Sequence, residues 1–347
     1  MKKQKKSTFS LTFIIFTILV LIATGIVFGG YRLLYAPNFQ ANRITYVYID
    51  QNKDFDNLCK QLIDSAQCSN IDNFKQLASI LDYSQNMRTG RYAIEAGTGN
   101  WALLNILRRG QQTATRITFN NIRLKEELAK RLAEQLMIDE KDILSLIDDP
   151  DYCSLLGFTT ETITTFFIPN TYEVYWNTSA EKLMERFGRE YKAFWTDKRK
   201  EKADAIDLTP AEVAILASIV EEETAMADEY PIVAGLYLNR LKQGIPLQAD
   251  PTIKFAVGDF SLQRILFKHL EIESPYNTYK YTGLPPGPLR VASIKGLDAV
   301  LNYMRHHYLY MCAKEDFSGR HNFAVTLAEH NRNAERYRAE LNKRKIR

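Results

Sequence analysis

The sequence predicts an α+β protein in three parts: an N-terminal transmembrane helix, a small β-α-α-β subdomain and a C-terminal α+β domain built around a glutamate-bearing helix. Three observations predict it. Residues 7–31 contain no charged side chain. Residues 44–94 carry strand and helix signals in the order β-α-α-β. Residues 218–224, "SIVEEET", place three consecutive glutamates at the end of an apolar helical run. The composition, 46% apolar and 25% charged, is that of an ordinary globular chain and excludes a disordered one.

The first element is the uncharged stretch. As a helix it spans roughly 37 Å at ~1.5 Å per residue, more than the ~30 Å hydrocarbon core of a bilayer. Its apolar core is too long for the hydrophobic region of a signal peptide, and no clear A-x-A cleavage site follows. Lys2, Lys3, Lys5 and Lys6 precede it. That asymmetry predicts a cytoplasmic N-terminus, with everything after about residue 32 outside the membrane. The expected boundaries are residues 1–8 for the basic tail and 9–31 for the span. The tail also accounts for much of the formal charge of +4, which leaves the remainder near neutral. Basic clusters at 198–202 and 343–347 read as solvated helix or chain ends, and no nucleic-acid-binding module is recognisable, so nucleic acid is not expected as a partner.

Residues 36–43, "APNFQANR", read as a short linker. "ITYVYI" (44–49) alternates β-branched and aromatic residues, as a strand does. Helical spacing follows over 54–65 and 73–82, then a returning strand, "GRYAI" (90–94), and an amphipathic helix, 100–110, stopped by Gly110. A further strand, "TRITF" (115–119), precedes a helix in which Leu124, Leu128, Leu132 and Leu136 share one face. Residues 140–165 read as loops and short helices, 166–176 as an aromatic segment turning at Pro169-Asn170, and 181–195 as a helix. The charged run 196–207 reads as a hinge. The expected domain limits are 44–110, 111–205 and 206–347. Cys59, Cys68, Cys153 and Cys312 form no C-x-x-C pair, which argues against zinc and redox motifs. Cys59 and Cys68 are the one close pair that export would allow to join, and free buried thiols are the alternative.

The glutamate helix has a well-defined start. Thr209 stands at the N-cap, Pro210 at the first helical position and Glu212 at the capping-box position. With Val213 set at zero and ~100° per residue, Leu216 falls at about 300°, Val220 at about 340° and Ile219 at about 240°. Glu223 falls at about 280°, inside that apolar stripe; Glu221, at about 80°, and Glu222, at about 180°, fall outside it. A carboxyl held among apolar groups keeps its proton to higher pH, as a general acid requires. A final turn emerging into water would carry the same glutamates as solvated charge.

Around this helix lie a second helix at 230–244 and two loops, "IPLQADPT" (245–252) and "SPYNTYKYTGLPPGP" (274–288). The loops combine amides, hydroxyls and tyrosines, groups that bond and stack against sugars. The chain closes with a hairpin, "YLYMCA" and "RHNFAV" about "KEDFSG", and a helix capped by Thr326 and Glu329. The five histidines show no zinc spacing; His321 and His330 read either as pointing towards a site or as ordinary core or surface histidines. No P-loop, dinucleotide fingerprint or nucleophile elbow is present. No metal and no cofactor are expected.

Several stretches together resemble the endolytic murein transglycosylase (YceG-like) family: "LASIVEEET", "LYLNRL", "LQADPT", "SPYNTYKYTGLPPGP" and "HNF…EHN". "FIPNTY" is similar to that family's "FPDTY" segment, with Asn170 in place of aspartate, and the β-α-α-β unit with "GRY" resembles its LysM-like subdomain. The resemblance implies a lyase of the cytoplasmic (inner) membrane that cleaves nascent peptidoglycan strands at the MurNAc-GlcNAc bond, leaves 1,6-anhydro ends and so terminates glycan elongation. It implies Glu223 as the catalytic acid, since that position matches the second acidic residue of the family's E-K-E-T motif. Glu221 matches the first; Glu222 stands where lysine is frequent and is expected to face away with little effect. Candidate substrate contacts are Glu221, Gln248, Asp250, Asn277, Thr278, Tyr279 and His321. Glycan strands, the lipid bilayer and peptidoglycan synthases are the implied partners. Two alternatives stay open: a hydrolytic muramidase using Glu223 with Asp250, and a non-catalytic, membrane-tethered peptidoglycan-binding protein.

Overall fold

The structure, a computed structural model, describes residues 5–262 and 264–344. The lysine side chains of the expected basic tail, residues 1–8, lie outside the description. The chain is a mixed helix-and-sheet protein that divides into two compact units, Met1–Arg116 with Glu173–Thr178, and Ile117–Tyr172 with Ser179–Arg347.

The first unit opens with α1 (Lys5–Leu34). Its segment Leu11–Leu34 is apolar and exposed from Leu11 to Gly29, with Leu33 and Leu34 packed on the core, and among the described residues it is the one helix long and apolar enough to cross a membrane. The chain then runs through β1 (Thr45–Ile49), α2 (Phe55–Asp64), α3 (Ile71–Ile80), β2 (Gly90–Ile94) and α4 (Asn100–Arg109). β1 and β2 pair antiparallel, Thr45 opposite Ile94 and Ile49 opposite Gly90. Leu58, Leu62, Phe74 and Leu77 from α2 and α3 bury their apolar faces together with Tyr83 and Tyr92. The third helix starts two residues earlier than its spacing indicated, because the Asn70 side chain caps it by accepting from the Asn73 N–H at 3.0 Å.

One expectation is corrected here. Residues 36–43 are not a free linker. Phe39 is fully buried, and Pro37 and Phe39 form bridges to Gly99 and Cys68. Asn38 donates to the Asn70 carbonyl at 2.8 Å and to Asn100 Oδ1 at 2.7 Å, while Asn100 donates to the Leu33 carbonyl at 2.9 Å. Proline and asparagine give the stretch the look of a loop, yet its one large apolar side chain plugs the core.

The chain enters the second unit along β3 (Thr115–Thr118), which pairs with β4 (Thr171–Val174). Between them lie α5 (Lys125–Ala133), α6 (Glu140–Ile147) and α7 (Pro150–Leu156). Leu128, Leu132 and Leu136 are buried as their spacing predicts; Leu124 is exposed because it precedes the helix as its N-cap. After α8 (Ala180–Phe194) the charged run expected to be a hinge forms α9 (Asp197–Asp204). Ala203 and Ile206 are buried there, and Arg199 donates to Asp298 at 3.1 Å, so good helix formers and two apolar anchors override the run's charge.

α10 (Pro210–Glu223) is the axis of this unit. Its start follows the sequence: the Thr209 side chain accepts from the Glu212 N–H, and the Glu212 carboxylate accepts from the Thr209 N–H at 2.7 Å. The single apolar stripe assumed for it is corrected. Every residue from Val213 to Val220 is buried, because other elements surround the helix on all sides. These include α9, α11 (Tyr230–Lys242), α12 (Asp250–Val257) and α14 (Ile294–Leu301); the short α13 (Phe267–Leu270) packs beside α12. A hairpin of β5 (Tyr310–Ala313) and β6 (His321–Ala324) and the long α15 (Leu327–Lys343) complete the unit.

α11 approaches the 304–306 segment closely at Gly235, where an added Cβ would overlap the Met304 carbonyl and the His306 ring. Gly235→Ala is expected to destabilise the second unit by about 1–3 kcal/mol, the usual cost of overpacking, and denaturant unfolding followed by fluorescence checks it. All four cysteines are free thiols; Cys59 and Cys153 are buried, and burial pushes the Cys59 thiol up to about 11.

Candidate active site

The three glutamates that end α10 go to three different places. The helix stops at Glu223 because Thr224 turns to extended backbone, and its last turn meets three distinct surroundings. Glu221 points to α14: its carboxylate accepts from the Ser293 N–H at 3.0 Å and from the Ser293 hydroxyl, and its side chain is 4% exposed. Glu222, expected to face away from the site, is not among the residues lining the cavity that Glu223 reaches, and its carboxylate is bound elsewhere. Arg123 Nη2 donates to both its oxygens, at 2.9 and 2.8 Å, and Arg290 Nη1 donates to Oε1 at 3.1 Å. This partly buried two-arginine clamp ties the helix end to segments far away in sequence.

Glu223 reaches a cavity of about 310 Å³. The volume is at the small end of ligand sites. Seven segments contribute to its lining: Glu223 from α10, Tyr237 and Arg240 from α11, Gln248 and Asp250 just before and at the start of α12, Tyr279 from the 274–288 loop, Tyr310 from β5, His321 from β6, and His330 from α15. Tyr237 and Arg240, one turn apart, share a helix face. Tyr237 donates its phenol proton to Glu223 Oε1 at 2.6 Å. Arg240 donates to the carbonyls of Pro246 at 2.9 Å and Leu309 at 2.8 Å, and to Gln248 Oε1. Gln248 sits in the left-handed region, φ 51°, which costs of order 1 kcal/mol or more for a residue with a side chain. The Arg240 bond and the bond from its own N–H to the Thr278 carbonyl at 3.0 Å hold it there.

Asp250 was expected in a loop and instead opens α12 at the first helical position, with Pro251 at the second. It is exposed and accepts the Tyr279 phenol proton at 2.6 Å. Glu221, Asn277 and Thr278 are not among the cavity-lining residues. Asn277 and Thr278 are buried and act on the walls. Asn277 donates to the carbonyls of Leu270 and Ile272, both at 2.9 Å, and accepts from the Tyr279 N–H at 3.0 Å. Thr278 Oγ1 accepts from the Ala249 N–H at 3.1 Å and shares a 2.8 Å bond with Thr252 Oγ1. They fix the positions of Tyr279 and Gln248. The sequence reading gave no role to Tyr237 and Arg240; their one-turn spacing on "LYLNRL" was the available signal. It also gave no role to Glu229, a buried carboxylate that accepts from His321 Nδ1 at 2.9 Å.

Electrostatics single out Glu223. Burial pushes its carboxyl up, from an ordinary 4.5 to about 7, against the Tyr237 bond, which pulls it down; the negative charge of Asp250 adds to the rise. A carboxyl in that range holds a proton near neutral pH and can both give it and take one back. Tyr237→Phe removes the strongest influence favouring the ionised form. The Glu223 midpoint is expected to move above about 7, read from the pH dependence of its infrared carboxyl stretch. Among the described residues no group of histidine, cysteine and carboxylate side chains has metal-site geometry.

Comparison with known proteins follows from this geometry. A model of the YceG-like family matches residues 47–336. A Bacillus subtilis (strain 168) protein named endolytic murein transglycosylase is 30% identical over 278 residues, 75% of this chain and 76% of the relative. A Streptococcus pneumoniae (serotype 2, strain D39) protein of the same name is 29% identical over 186 residues, 51% of this chain; the match spans only 33% of that longer relative. The crystal structure of a yceG-like protein from Listeria monocytogenes superposes with a TM-score of 0.57 at 22% identity, over 84% of this chain and 99% of that one. At that identity the likeness concerns the fold.

Proposed function

This chain belongs to the YceG-like family, and from that premise we propose that it is a membrane-anchored endolytic lytic transglycosylase of peptidoglycan, with Glu223 as its one acid-base residue. The observation that carries the reading is a carboxyl raised to about 7 at the floor of a cavity, bonded by a single phenol. Protonated Glu223 donates to the glycosidic oxygen between N-acetylmuramic acid and N-acetylglucosamine, and that bond breaks. The carboxylate left behind takes the proton of the muramic C6 hydroxyl as its oxygen bonds to the anomeric carbon. The 1,6-anhydro ring closes, Glu223 regains its proton, and no water is consumed. One carboxyl serves both steps, so the second carboxylate of a hydrolytic glycosidase is not required.

Gln248, Asp250, Tyr279 and His321 are the proposed sugar contacts, with Asn277 and Thr278 acting through the backbone they fix and Glu221 through the start of α14. The helix Leu11–Leu34 serves as the anchor, with the N-terminus in the cytoplasm and the chain after it on the outer face. The β1-α2-α3-β2 unit is the proposed LysM-like module, and peptidoglycan synthases are the neighbours that nascent strands imply. The presence of Asp250 near Glu223 favours a second reading, hydrolysis with Asp250 activating water. Mass spectrometry of peptidoglycan digested by the full chain separates the readings: anhydro-muramic ends support the lyase, and reducing ends support the hydrolase.

A further inference from the structure

A second carboxylate near the cavity is left without a role by this mechanism. Glu229 sits just before α11 and is 4% exposed, and its carboxylate is bonded to His321 and to Thr224. Its Oε1 accepts from the His321 backbone N–H at 3.0 Å, and its Oε2 accepts from His321 Nδ1 at 2.9 Å. Oε2 also accepts from the Thr224 hydroxyl at 3.0 Å, and Thr224 directly follows Glu223. Burial alone would raise this carboxyl; the bonds from the His321 ring, its N–H and Thr224 outweigh burial and hold it below the usual range. Glu229 is therefore an ionised, buried acceptor that grips His321 at two points. A surface histidine needs no such holder. His321 lines the same cavity as Glu223.

The grip has a chemical consequence. A carboxylate can only accept, so Nδ1 must carry the proton. In the neutral ring Nε2 is then an acceptor, and it is the ring's remaining polar atom. Resting on the reading above, we infer that Glu229 is a positioning residue that fixes His321 with its Nε2 lone pair toward the cavity, where it accepts a hydrogen bond from a sugar hydroxyl of the glycan strand. That hydroxyl is one other than the attacking C6 hydroxyl, whose proton goes to Glu223; no proton passes to His321. Glu223 and Glu229 thus have separate tasks. Glu223 exchanges protons, and Glu229 holds a ring in one tautomer, as second partners do for metal-bound and catalytic histidines.

The test uses the full chain in detergent, with soluble uncrosslinked peptidoglycan strands as substrate and Glu229→Gln, His321→Leu and the double variant beside wild type. Glutamine can donate to Nδ1, so the Glu229→Gln ring is free to take the other tautomer. KM is expected to rise about tenfold with kcat kept within about threefold, the mark of lost uniform binding through one hydrogen bond. Nitrogen NMR of the imidazole is expected to show a proton fixed on Nδ1 in wild type and not in Glu229→Gln. His321→Leu, which leaves the backbone bond to Glu229 in place, is expected to raise KM equally, and the double variant no further. Additive effects, a fall in thermal stability and kcat with unchanged KM, or an unaltered tautomer in Glu229→Gln would each assign Glu229 a merely structural role and overturn the inference. Should Glu229→Gln fail to fold, the wild-type tautomer and the His321→Leu KM decide it. Wild type that releases no anhydro ends would instead remove the functional reading itself.

Discussion

Glu223→Gln is expected to lose about a thousandfold in kcat on peptidoglycan strands, the middle of the range for deleting a general acid-base group. The substitution is nearly isosteric and leaves the Tyr237 phenol an amide carbonyl to donate to, so the cavity walls stay in place. What disappears is the proton for the glycosidic oxygen and the base for the C6 hydroxyl. KM should change little, because the amide keeps the shape of the site. Quantifying anhydro ends over time, for wild type and variant at equal concentration, checks the result. A Glu223→Gln protein as active as wild type would leave the non-catalytic, glycan-binding alternative in place of both enzyme readings.

The same variant is expected to gain stability, and only at neutral to alkaline pH. The folded protein raises Glu223 from 4.5 to about 7, so it binds that proton more tightly than the unfolded chain does. Below pH 4.5 the carboxyl is protonated in both states and has its full stability. As pH rises through about 7 that contribution is lost, because the folded state must then ionise a buried group. The rise corresponds to about 3 kcal/mol at ~1.4 kcal/mol per pH unit, an order-of-magnitude figure. Glutamine never ionises. Glu223→Gln should therefore unfold at a higher temperature than wild type at pH 8, by roughly 2–4 °C per kcal/mol for a domain of this size, and at the same temperature at pH 4. Calorimetry at the two pH values measures both. A site that is strained for function and relaxes on losing its charge fits a common trade-off between stability and activity.

Much of the fold could be read from local signals, since the elements concerned announce themselves over a few residues. The apolar, uncharged run gave α1; the Thr209, Pro210 and Glu212 start gave α10; Gly110 gave the end of α4. Local spacing also selected Glu223 as inward-facing, but the premise of one apolar stripe was mistaken for a helix buried all round, and it hid that Glu221 is buried too, against α14. What stayed hidden depends on partners distant in sequence. Glu222 meets Arg123 and Arg290 across separations of 99 and 68 residues. Glu229 meets His321 across 92. Phe39 looks like part of a linker until its bridge to Cys68, 29 residues away, and that of its neighbour Pro37 to Gly99 close the segment onto the core. Asn277 and Thr278 illustrate the same limit from the other side. Their amide and hydroxyl groups suit sugars, and only the fold reveals that backbone groups already occupy them.

The claim beneath the whole account is that one carboxyl keeps its proton at neutral pH because the cavity denies its charge full hydration. Carbon NMR of the full chain with labelled glutamate carboxyls, assigned through Glu223→Gln, measures it directly. The account predicts a single carboxyl resonance that titrates with a midpoint near 7, lost in the variant and moved up in Tyr237→Phe. A Glu223 carboxyl already ionised at pH 5, like those at the protein surface, would contradict it.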